Sequence, residues 1–170
     1  MDTLSGAGNL HGMKDAEKRK PEEEVPVLLT VTGKQTDPEG STRETAAVYR
    51  AVCRNSGEGL LFSYLAEDTP VTLFLSRSLA WMQRGGSIDA RMVFDPSGAV
   101  TRCDYETAYG TIPMEVRTEG ISVLTGGLRK QGEGGAGIIG RGLQARIRYA
   151  LIMGADYELS CSVTIKTQQM

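Results

Sequence analysis

At 170 residues, 40% hydrophobic and 24% charged, the chain has room for one domain with a core of ordinary size and not for a second. Its formal net charge of −2 argues against a generally basic, phosphate-neutralising surface, so nucleic acid is an unfavoured partner. No stretch approaches the roughly 20 apolar residues that cross a bilayer as a helix, and the first residues lack a signal peptide's apolar run; no membrane partner and a cytoplasmic location are expected.

Residues 1–24 are polar, glycine-containing and dense in mixed charge, and cannot bury enough apolar surface to offset the entropy of ordering. They are expected to form a disordered tail. Within it, Met13 opens a stretch, MKDAEKRK, that would itself make a normal start, so what precedes it reads as an upstream extension. The single histidine, His11, falls in this tail. Ser/His/Asp and Cys/His catalysis and His-based metal sites all need a held imidazole, so no catalytic residue, metal ligand or cofactor is assigned.

From Pro26 onward the chain reads as short extended runs separated by turn residues. Val27, Leu29 and Val31 alternate with Leu28, Thr30 and Thr32, and Asp37-Pro38-Glu39-Gly40 supplies a turn. Runs over 43–54 and 60–66 follow, then a hairpin of 71–75 and 79–84 across Ser76, Arg77 and Ser78. Ile88, Ala90, Met92 and Phe94 lead to the turn Asp95-Pro96-Ser97-Gly98, which returns the chain into 99–109. In 105–123, Tyr105, Thr107 and Tyr109 take one side of an extended chain, and Ile112, Met114 and Val116 resume the alternation after Gly110. Two strands hinged at Tyr109-Gly110 are expected, with the tyrosines on a shared face. The runs 143–152 and 157–166 alternate most cleanly, Leu143, Ala145, Ile147, Tyr149 and Leu151 on one face and Tyr157, Leu159, Cys161, Val163 and Ile165 repeating the arrangement.

About eight to ten such strands with short links and no long amphipathic helix predict an all-β, antiparallel up-and-down barrel, since closure removes exposed edges. The domain is expected over 25–167, with 168–170 as a C-terminal tail and a glycine-rich loop insert at 125–142. That insert matches GxGxxG twice, at 132–137 (GEGGAG) and 135–140 (GAGIIG). A dinucleotide site needs the glycines between a strand and a helix, whereas the residues after Gly142 alternate with period two. A loop joining two barrel strands accounts for them. Cys53, Cys103 and Cys161, odd in number and without a CxxC pair, read as reduced, buried thiols.

Tyr105-Glu106-Thr107-Ala108-Tyr109-Gly110, with Thr118, Phe62-Ser63-Tyr64 leading to Glu67, Thr72, Arg84-Gly85 and Tyr149, resembles the YwiB-like family of small bacterial proteins, a domain of unknown function. The resemblance covers 25–167; the long glycine-rich insert and the charged N-terminal tail depart from it. It implies a calycin-like barrel similar to lipocalins and fatty-acid-binding proteins, in cytoplasmic proteins of mainly Gram-positive bacteria, and no established activity.

Three function classes stay open. The first is a non-enzymatic barrel holding a small-molecule ligand in its interior or at its mouth, with Tyr105, Thr107 and Tyr109 as aromatic and hydroxyl walls and Arg84 and Tyr149 adding a charge and a hydroxyl. The second is a protein-interaction module, with homodimerisation left open; it predicts a filled barrel and an exposed apolar patch. The third is an enzyme of unknown reaction, for which Glu67 with Asp68, or Glu106, are the available acids or bases. Adjacent strand residues point to opposite faces, which disfavours it.

Overall fold

The computed structural model describes residues 23–85, 90–123 and 142–170. Ten strands run through them: β1 (Glu24–Thr36), β2 (Thr42–Ser56), β3 (Gly59–Ala66), β4 (Thr69–Leu75), β5 (Ala80–Arg84), β6 (Arg91–Phe94), β7 (Val100–Thr107), β8 (Gly110–Val123), β9 (Gln144–Met153) and β10 (Tyr157–Gln169). All pair antiparallel in a single sheet of order β6-β5-β4-β3-β2-β1-β10-β9-β8-β7. Apart from β1 with β10, every neighbour is also the next strand in the chain, which is an up-and-down meander.

The two ends of that order, β6 and β7, are themselves consecutive and packed together, so the sheet curls into a nearly closed barrel. Across this seam Thr101 Oγ1 donates to the Val93 carbonyl at 2.8 Å. The connecting turn is held by Gly98 N donating to Asp95 O at 3.2 Å and Ser97 N donating to Asp95 Oδ1 at 2.9 Å, and these Ser97 contacts hold the Asp95 carboxyl below its usual range.

The strands extend slightly past the expected domain limits. Glu24 pairs with Arg54, and Gln168 and Gln169 pair with Leu28 and Val27, so β10 runs through residues expected to be a tail. These polar residues complete a ladder between the first and last strands, where backbone pairing does not require apolar side chains. The expected tail over 1–22 and nearly all of the glycine-rich insert lie outside the described residues.

Alternation decides which side chains enter the barrel. Val27 and Leu29 of β1, Ala51 and Cys53 of β2, Phe62 and Tyr64 of β3, Leu73 and Leu75 of β4, Ala145 and Ile147 of β9 and Ile165 of β10 are buried in one cluster. Aromatic pairs thicken it: Tyr49 stacks on Tyr64 with ring centroids 4.7 Å apart, and Phe94 meets Tyr149 at 4.8 Å. The void enclosed by Val31, Tyr64, Leu73, Met82, Phe94 and Ile147 is only about 20 Å³, room for no more than about one water. Among the described residues, side chains fill this level of the barrel.

Cys53, Cys103 and Cys161 are unpaired and buried. Burial pushes the Cys53 thiol from its ordinary 9.0 up to about 12 and raises the other two.

Candidate functional site

The strands differ in height. β1 pairs with β2 along its whole length, out to Thr36 with Thr42, but β3 meets β2 only from Ala51 to Ser56. Residues 42–50 of β2 consequently overhang the short β3–β4 hairpin at one mouth of the barrel. On the other side β10 follows β1 as far as Ser160 opposite Thr36. The inward rows of this tall wall continue above the packed interior, where among the described residues no opposite strand reaches the same height.

A cavity of about 500 Å³ opens there, within the range of about 300–1,000 Å³ usual for small-molecule sites. Val31 and Val163 form its floor, since they border both this cavity and the packed interior below. Gly33 continues the inward row of Val27, Leu29 and Val31, and an added Cβ there would lie 2.9 Å from Thr45 Oγ1. A glycine at this inward strand position leaves room for the Thr45 side chain on the neighbouring strand. Arg43 and Thr45 extend the inward row of Ala51 and Cys53, and Arg84 extends that of Ala80 and Met82. Lys34, Gln35, Ser162, Tyr105 and Tyr149 complete the lining, in which no carboxylate takes part among the described residues.

Tyr149 is the deepest polar group. Burial raises its phenol first, and the charge interaction and hydrogen bond with the neighbouring Cys161 thiol add to the effect, so the hydroxyl stays protonated. Tyr64, below the mouth, is pushed up to about 12 by burial and by Tyr49, with Arg84 opposing. Arg84 is carried on a firmly held hairpin end. Gly85 N donates to Pro70 O at 2.8 Å, and on the outer face Arg91 donates through Nε and Nη2 to Gln83 Oε1 at 3.0 and 2.9 Å while lying 4.0 Å over the Trp81 ring. Arg84 itself pairs with Glu67, 3.9 Å away, and Glu67's side chain is 92% exposed. So loose and exposed a pair engages little of the guanidinium.

Of the five residues singled out from sequence, Arg84, Tyr105 and Tyr149 line this cavity. Thr107 and Tyr109 are not among its lining, and the shared face expected for them with Tyr105 ends at the hairpin. Thr107 Oγ1 donates to Gly110 O at 2.8 Å and accepts from Tyr109 N at 3.2 Å, so its hydroxyl is engaged in the β7–β8 turn. Tyr109 sits in that turn, fully exposed. Gly110, at φ +124°, supplies the hinge expected there. Glu67 and Asp68 form the exposed β3–β4 turn, away from any paired-carboxylate arrangement.

Lys34, Arg43, Thr45 and Ser162 were not singled out. Arg43 and Thr45 share the parity of Cys53, so extending that row to the strand's start would have found them; Lys34 and Ser162 lie on the opposite parity and carry no such signal.

Comparison with known proteins agrees with the resemblance. A family model described as "Domain of unknown function (DUF1934)" matches residues 29–165. The crystal structure of the YwiB protein from Bacillus subtilis superimposes with a TM-score of 0.61 at 17% identity, covering 85% of this chain and 94% of that one, a likeness of fold. No curated protein matches. Because the matched segment runs from within β1 to within β10 and so takes in the whole barrel, the chain belongs to this family of β-barrel domains of unknown function.

Proposed function

We propose that this protein is a cytoplasmic, non-enzymatic barrel of the calycin and lipocalin type that holds a small molecule at its open mouth. The observation that carries the reading is the contrast between a filled interior level, with a void of about 20 Å³, and a mouth cavity of about 500 Å³ lined by cations, hydroxyls and tyrosines. Such groups bind and orient a ligand, and among the described residues the lining offers no carboxylate pair for acid–base chemistry. Native mass spectrometry of protein purified gently from its own host tests the reading. A discrete extra mass lost on denaturation supports it, and a bare monomer mass that also stays bare against a small-metabolite library overturns it.

One observation favours an interaction role beside this. Residues 42–50 of β2 have no pairing with β3, and Val48 within them is 63% exposed. A strand edge that no described residue pairs with is a template for another chain, here a second copy. Light scattering at micromolar concentration decides it: a dimer lost on Val48→Lys supports the role, a monomer at all concentrations removes it.

A further inference from the structure

We infer that the mouth cavity is built for a small anion, a metabolite carrying a phosphate or carboxylate group, which rests on the reading of the mouth as a small-molecule site. Lys34, Arg43 and Arg84 come from three different strands, β1, β2 and β5, yet border one cavity, and among the described residues no acidic side chain borders it with them. The chain as a whole is acidic by −2, so this is a local departure from the protein's overall charge. Arg43 and Arg84 moreover stand on inward rows, where the positions nearer the middle hold Ala51, Cys53, Ala80 and Met82. A cation that merely keeps a surface soluble has no reason to occupy the inward register.

Like charges gathered around one concave space repel one another, and the walls shield them less than open water would. Glu67 opposes this only from 3.9 Å and from an almost fully exposed position. An anion in the cavity would relieve the repulsion and accept charge-assisted hydrogen bonds, in the forked geometry that guanidinium groups offer phosphates and carboxylates. Thr45, on the inward row beside Arg43, supplies a neutral donor next to it.

The test is isothermal titration of the full chain with inorganic pyrophosphate and, separately, citrate, at constant ionic strength. Four variants accompany it: Arg43→Gln, Arg84→Gln, Arg50→Gln and Gly33→Val. Arg50 lies on β2 with Arg43 but on the outer face, so it controls for general charge. Gly33→Val puts a side chain on the inward row against Thr45 and removes no cation. Expected is saturable binding of at least one anion, weakened about ten-fold or more by Arg43→Gln, Arg84→Gln and Gly33→Val, and changed less than about two-fold by Arg50→Gln. Which probe binds distinguishes phosphate from carboxylate. Binding of neither, or equal loss in Arg50→Gln, overturns the inference. A neutral molecule carried from host cells while both anions fail would overturn the anion class and leave the mouth as a ligand site; no carried molecule and no anion binding would overturn both.

Discussion

The β3–β4 turn gives the sharpest quantitative expectation. Ala66 pairs with Thr69, leaving a two-residue connection in which Glu67 and Asp68 both have positive φ, 49° and 63°. This is the hairpin turn whose twist suits the strands and whose central residues are best Asn-Gly. The left-handed conformation costs a residue bearing a Cβ about 1–2 kcal/mol, so the pair carries roughly 2–4 kcal/mol of local strain. Replacing both, Glu67→Asn with Asp68→Gly, removes most of that. Against the gain stand about 0.5–1 kcal/mol for the glycine's extra unfolded-state freedom and at most about 1 kcal/mol for the exposed Glu67–Arg84 pair. The net is a stabilisation of about 1–2 kcal/mol. For a chain of this length that corresponds to a rise in Tm of roughly 2–8 °C, measured by circular dichroism. An unchanged or lowered Tm would refute the reasoning, since it would mean that the turn carries no such strain. Because the double variant also takes away the carboxylate paired with Arg84, pyrophosphate affinity should rise in it.

Three further outcomes follow from buried groups. Cys53 and Tyr64 have phenol or thiol values raised by burial to about 12, from 9.0 and 10.0, so their contribution to stability is complete below pH 9 and is lost as pH climbs towards 12. Urea midpoints should fall between pH 8 and pH 11, and fall less in Cys53→Ala; a flat profile would count against this. Phe94 is 2% exposed on the short seam strand and packs on Tyr149, so Phe94→Ala should cost about 3–5 kcal/mol in urea unfolding. Thr118 Oγ1 is buried without a hydrogen-bond partner among the described residues, and Thr118→Val should stabilise by about 1 kcal/mol; destabilisation would show that the hydroxyl has a partner after all.

Most of the fold was legible in the sequence because period-two alternation is a local signal: a side chain's face follows from its position in its own strand. The hairpin over Ser76–Ser78, the hinge at Gly110 and the two last strands all come from residues adjacent in the chain, and the ten-strand meander follows from joining such neighbours by short turns. Tyr109 shows where the same signal misleads. Its parity continues that of Tyr105, but the chain reverses at Ala108-Tyr109, and alternation lost its meaning in a turn.

The site depended on what no local pattern contains. Arg43 and Arg84 lie 41 positions apart in the chain, and only the register of β2 against β3, the unequal strand heights and the closure of β1 on β10 bring them to the same cavity. The sequence by itself determined which residues could point inward. Whether an inward position met a packed neighbour or an open mouth was decided by tertiary structure, because that depends on how far each opposing strand extends, and the space between strands belongs to no single segment of the chain.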